Sequence, residues 1–351
     1  MKKGFFSFTI CLTIFLAGLS QKVYCQENLG TDFDVFLQAG ADDANLLIKN
    51  YMEPLVMGFS YGMSNGWYNT AKAHKSLGFD LTITATLTSV PESKEYFTFL
   101  STDYENVHLV GSNDQVPTIL GPSSDTGPEL EFTYYEETTG TTISSGTFKP
   151  VGLGLKEEIG YNVVPSPMVQ LSVGTFKNTD LIIRYVPEIR YEAFTTSAFG
   201  FGIKHDIKQW IPGLKRVPID IALLAAFSGF DNHYNLSDLQ IEGDSKEAVF
   251  NVNNWTVQAL VSKKISILTV YAGIGCATVN SEMKMKGTYA VKDDMGEEIY
   301  SMEDPITLSY EESSWRATGG IRLKFAFFTL HGDYTYQQYS MVSAGFGFSF
   351  R

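Results

Sequence analysis

The residues able to do covalent or metal chemistry are few and poorly spaced for it. The 351-residue chain holds five histidines, His74, His108, His205, His233 and His331, and three cysteines, Cys11, Cys25 and Cys276. No histidine stands at a metal-ligand spacing from a cysteine or another histidine, so no metal site and no cofactor are expected. His331 precedes Asp333 by two positions, which would put both on one face of a strand. No serine stands out as a nucleophile for such a pair, so the chain is not read as an enzyme. The remaining candidates are of a binding kind. Arg184, Glu188, Arg190, Lys204, Arg316, Arg322 and Lys324 recur on the polar side of alternating segments. Met57, Phe59, Met63 and Trp67 offer an adaptable apolar surface. One reading has the basic residues receive a carboxylate head group while the Met and aromatic residues hold its tail. The plainer reading pairs the charges with one another across strands and with a plug.

The elements that must position these residues are strands. From Leu77 to Leu87, apolar residues at 77, 79, 81, 83, 85 and 87 alternate with Gly78, Asp80, Thr82, Thr84 and Thr86. Period two returns at 167–176, 179–192, 198–206, 315–327 and 342–350, with charges and glycines on the polar phase. No run of 18 apolar residues follows the first two dozen, so helical spans are not expected. Long strands with one apolar and one charged face fit an all-β transmembrane antiparallel barrel, apolar side to lipid and polar side to the lumen. About fourteen strands can be counted, with twelve to sixteen open; the count includes 128–136, 147–156, 265–279, 284–292 and 298–309. The alternative is a periplasmic β-sandwich. If Phe350 ends a strand at the periplasmic rim, the turn at 177–180 is periplasmic and 230–250 is external. The connection 207–217 reads as an amphipathic element or an irregular loop, and 111–128 as a loop, either lid or constriction.

Two segments precede the barrel, which is read over 77–350. Residues 1–25 read as an export signal: Met1-Lys2-Lys3, then a mostly apolar Phe5–Leu19. Residues 26–76, which include the apolar candidates, do not alternate. Asp42 or Asp43 could cap a helix over Ala44–Met52 that Pro54 ends, followed by glycine-rich turns over 57–67. The expectation is a small, partly helical plug that enters the lumen from the periplasmic side; the alternative is a tail packed on the rim. The chain carries 26 basic and 39 acidic residues, net −13. That balance excludes nucleic acid as a partner.

Two stretches carry a family resemblance. Asp42–Leu81 and Phe199–Phe227 resemble an uncharacterised family of Bacteroidota outer-membrane proteins, itself distantly similar to the FadL-type long-chain fatty-acid and hydrophobic-compound transporters. Those are fourteen-stranded barrels with an N-terminal hatch and a lateral wall opening. The resemblance implies passive uptake of a hydrophobic or amphipathic small molecule through a hatch-gated lumen, with a continuous apolar pocket joining lumen, hatch and a wall gap. A structural or assembly barrel, marked by a solid lumen, and a general porin, marked by a wet pore, stand as alternatives. The expected partners are outer-membrane lipid and lipopolysaccharide, the barrel-assembly machinery during biogenesis and, on the first reading, the small molecule.

Overall fold

Alternation over successive segments closes into a ring. The computed structural model describes residues 40–124, 127–136, 141–191, 193–236, 243–292 and 298–350; the export signal expected at 1–25 lies outside them. Ten strands make the wall: β1 (Phe79–Ser89), β2 (Val163–Gly174), β3 (Thr179–Tyr191), β4 (Phe194–Asp206), β5 (Asp220–Asn235), β6 (Gly243–Ile265), β7 (Leu268–Lys292), β8 (Ile306–Phe325), β9 (Phe328–Tyr336) and β10 (Met341–Phe350). Each pairs antiparallel with its sequence neighbours, and β1 pairs with β10 to close the ring.

The ring is inside-out relative to a water-soluble sheet. On β1, Leu81 is 41% exposed while the adjacent Thr82 is 2% exposed. The same phase runs round the wall: Ile183, Phe201, Leu223, Val257, Ile274, Ile321 and Phe346 face out, and Arg184, Lys204, Gln258, Arg316 and Ser343 face in. Exposed aromatics mark the two margins, Tyr185, Trp255, Trp315 and Tyr336 at one and Phe325, Phe327, Phe348 and Phe350 at the other. An apolar belt on a ring without an open edge is the surface that lipid requires.

The architecture is the one expected, but ten wall strands replace about fourteen. Segments 265–279 and 284–292 belong to one strand, β7, of 25 residues. A strand crosses a bilayer in ~9–11 residues, so β7 projects well beyond it and its alternation does not stop at the lipid. The region 128–136 matches Glu129–Glu136, which lies with Val107–Val110 and Thr141–Phe148 in a separate sheet. Segment 147–156 is mostly the approach to a short helix, Leu155–Ile159. Segment 298–309 divides into Glu298–Glu303, which hangs on the far end of β7, and the start of β8.

The two rims differ. One holds Phe79, Phe350 and tight turns; at 177–178, Lys177 and Asn178 take φ of 53° and 51°, the left-handed pair that a two-residue hairpin uses. The connection 207–219 lies here too, as two single 3-10 turns, Lys208–Trp210 and Leu214–Arg216. The opposite rim carries the described parts of the connection 90–162, which form a cap with its own apolar cluster: Phe99, Val107, Val116, Leu130 and Phe132 around Leu47.

Leu47 belongs to α1 (Ala41–Met63), which stands in the lumen. The helix is longer than the sequence suggested because Pro54 lies inside it rather than ending it. An interior proline costs ~3 kcal/mol, but wall and cap surround this helix. Gly58 and Gly62 are helical, not turn residues. A Cβ at Gly62 would stand 2.3 Å from Ser166 Oγ, so the glycine lets α1 lie against β1 and β2. The direction also differs from expectation. Asp43 accepts the backbone N–H of Glu105 and Asn106 in the cap, so α1 begins at the long-loop rim. The chain leaves at the short-turn rim, where Leu77 N–H donates to Gly174 O.

Candidate functional site

After Met63 the chain is unwound, and an unwound chain in a barrel needs partners for its backbone. The polar wall supplies them. Arg184 donates from Nη1 to Met63 O at 2.9 Å and from Nη2 to Asn65 O at 2.6 Å, with Nε on Gln170 Oε1. Arg316 donates to Ser64 O at 3.1 Å and to the Asn65 side chain. Both cations sit where the α1 dipole is negative. Further down, Lys204 Nζ meets Thr70 O, Lys72 O and, at 2.9 Å, Asp180 Oδ2. Asp180 also accepts His74 N–H and contacts His74 Nδ1 at 3.0 Å.

The expected lumen charges therefore divide. Arg184, Lys204, Arg316 and Arg322 are buried inside, and Arg322 pairs with Asp80 at 2.9 Å. Lys324 reaches Ser349 Oγ at the short-turn rim. Glu188 and Arg190 are not in the lumen: they pair with each other at 2.7 Å in the open. The register of β3 against β4 shifts between Val186 and Ile189, and that irregularity turns the alternation over. The buried bases hold protein atoms, so the structure does not offer them to a carboxylate head group. His331 is inside near Thr84 Oγ1, while Asp333 accepts from Tyr271, so the two do not form a pair. Among the described residues no group of three His, Cys, Asp or Glu could hold a metal ion.

The four apolar candidates divide too. Met57 packs in the main core cluster with Tyr61, Val279 and Tyr339. Trp67 is buried beneath the Arg184 guanidinium, against Gly200 and Gly202 of β4. Phe59 instead faces a cavity, and Met63 is buried among Met168, Ala198, Phe230 and Val252. Phe59 borders a cavity of about 330 Å³ between α1 and the wall, with Met52 and Leu55 of the helix, Phe230 and Asn232 of β5, and Phe250 of β6. Phe59 and Met63 together border a smaller cleft of about 20 Å³ with Met168, Val186 and Ala198.

Both spaces adjoin a defect in the wall. Strands β2 and β3 pair only from Gln170–Arg184 to Gly174–Asp180. Above that, Val163–Val169 of β2 remains paired with β1 but has no partner on the β3 side. The sequence accounts for this: β2 carries Pro165 and Pro167, β3 carries Pro187, and none has an N–H to give. The outward-phase Pro167 and Ser197 border the small cleft together with Met63 of α1 and the inward-phase Met168. Pro165 similarly borders the larger cavity. Both pockets therefore touch residues of the β2 stretch that has no β3 partner. Sequence reasoning missed Asn232, Asn65 and Gln170, which carry no motif. The three prolines were the available signal for the defect.

Beneath the cap, polar groups are tied to the helix. Tyr51 donates to Val151 O at 2.7 Å, and burial pushes its hydroxyl up to about 12. Burial likewise takes Tyr104, which contacts Asn50, up to about 12. Both hydroxyls stay protonated at physiological pH.

A closed ring with an apolar belt, a polar interior and a helix in the lumen defines an outer-membrane β-barrel with an internal plug. The chain matches over residues 1–350 a family described as "Family of unknown function (DUF6588)", and it belongs to that family. No protein of curated function matches it. Among solved structures it is similar to Ail, the attachment invasion locus protein of Yersinia pestis, with 7% identity over 78% of this chain and 98% of that one, at a TM-score of 0.25. It is also similar to the translocator domain of the autotransporter NalP from Neisseria meningitidis, with 12% identity over 79% and 90%, at 0.28. A third is the outer-membrane transporter YddB from Escherichia coli, with 9% identity over 78% and 44%, at 0.28. At such scores the likeness says nothing about strand number, ligand or activity.

Proposed function

We propose that this barrel takes up a hydrophobic small molecule passively across the outer membrane, with α1 and residues 64–76 as the hatch. The observation that carries the reading is that Val164 and Pro165, which line the apolar cavity at Phe59, belong to the stretch of β2 without a β3 partner. A molecule partitioned in lipid and a molecule held against α1 are then separated by no hydrogen-bonded wall. The resemblance of Asp42–Leu81 and Phe199–Phe227 to a family distantly similar to FadL-type transporters, which have a hatch and a lateral opening, points the same way, although the ring here has ten strands. A general porin is less favoured, because Tyr61, Trp67, Arg184 and Arg316 pack the middle of the lumen. That packing also favours a second reading, a barrel that holds a lipophile without passing it on.

The test is to purify the mature barrel in detergent, denature it and identify released lipids by mass spectrometry beside a mock-purified barrel. An enriched apolar species, depleted in Ala248→Phe, supports the reading, since Ala248 borders the cavity. Equal recovery from both barrels would overturn it. Uptake into proteoliposomes then separates passage from holding.

A further inference from the structure

The cavity at Phe59 is lined almost wholly by carbon and sulfur, and none of its lining residues is charged. Its one amide is Asn232, whose Nδ2 is enclosed and has no hydrogen-bond partner among the described residues. An enclosed donor without an acceptor is costly and is rare in a settled interior. Around it the cavity is aromatic: Phe59 and Phe230 lie 4.8 Å apart, Phe59 and Phe250 5.9 Å, and Phe194 and Tyr234 4.4 Å, centroid to centroid. The bases that would meet an anion are engaged elsewhere, Arg184 and Arg316 on plug carbonyls, Lys204 on Asp180 and Arg322 on Asp80. Lys246, near this wall in sequence, has a partner of its own.

We infer that the cavity takes an uncharged lipophile bearing one hydrogen-bonding oxygen, a ketone or alcohol rather than a carboxylate, and that Asn232 selects it. This rests on the cavity being the binding chamber proposed above. An ionised carboxylate here would be desolvated without a counter-charge, a far larger penalty than one amide can offset. A neutral carbonyl oxygen, by contrast, satisfies Nδ2 while its chain replaces water against the aromatic rings. A volume of about 330 Å³ is at the small end of ligand cavities, ~300–1,000 Å³, and suits one short chain or a small ring system.

The experiment uses the full barrel in lipid nanodiscs and three alkyl probes of equal length, each with a mid-chain diazirine, ending in methyl, methyl ketone or carboxylate. Photolabelling is mapped by mass spectrometry at a pH where the carboxylate is ionised. The expected result is ketone labelling around Phe59 and Phe250 at least about tenfold above the carboxylate. In Asn232→Leu the ketone falls to the level of the alkane, whose own labelling persists and reports an intact cavity. Carboxylate labelling equal to the ketone, or a ketone preference that survives Asn232→Leu, would overturn the inference while leaving the chamber standing. Labelling of the cavity by none of the three would instead remove the chamber reading itself.

Discussion

The Arg184 guanidinium lies over the ring of Trp67, its carbon 3.7 Å from the ring centroid, while its N–H groups hold Met63 O and Asn65 O. One wall residue thus clamps the plug through a π face and two carbonyls at once. Arg184→Leu leaves those carbonyls without their buried donor. The expected cost is about 3 kcal/mol, read as a lower urea midpoint for loss of the heat-modifiable band. The same variant should raise single-channel conductance in planar bilayers. Unchanged stability and conductance would show that the plug is held elsewhere.

Re-zipping the wall is the direct test of the lateral route. Pro165→Val, Pro167→Val and Pro187→Val together return three N–H groups to β2 and β3. Each restored hydrogen bond adds ~0.5–1.5 kcal/mol at most, so the triple variant should be the more stable protein. Uptake of a lipophile into proteoliposomes should fall at least about tenfold while lumen binding persists. Uptake at the original rate would falsify the lateral route.

Asp43 ties α1 to the cap through the backbone N–H of Glu105 and Asn106. Asp43→Ala should free this tether at a cost of about 2 kcal/mol, since charged acceptors hold such bonds more strongly than neutral ones. Hydrogen exchange should quicken in Glu105–Val110 and in the first turns of α1, with the β1–β10 seam unaffected. Uniform exchange throughout the chain would mean that the tether is not local.

Close approach of α1 to the wall rests on Gly62, whose Cβ would stand 2.8 Å from Thr88 Oγ1 as well as against Ser166. Gly62→Val should displace the helix and destabilise the barrel by about 1–3 kcal/mol. Limited proteolysis should then cut within 41–63, where the parent protein resists. Continued resistance in the variant would show that β1 and β2 yield instead.

Much of the wall could be read from the chain. Leu81 and Thr82 differ in exposure just as their alternation implies, and the same holds for Arg184 and Arg316. The strand count failed where alternation outlasts the membrane, as in β7, and where a cap sheet carries its own period. Glu188 and Arg190 were misplaced because a register shift at Val186 is a property of pairing, not of either strand alone. Pro54 reads locally as a stop, yet tertiary enclosure carries the helix through it. Asn232 was illegible because its significance is the lack of a partner among the described residues, which only packing reveals.

The threading of α1 and residues 64–76 from one rim to the other constrains biogenesis. The helix is synthesised before β1, and β1 forms the closing seam with the last strand, Phe79–Thr88 against Met341–Phe350. A cylinder sealed empty would have to draw a 23-residue helix through its bore afterwards, past buried arginines that still lacked their carbonyls. A cylinder that rolls up around the helix meets no such barrier, because each inward polar side chain finds its backbone partner as the wall arrives. The zipping of one ladder is then also the moment of encapsulation.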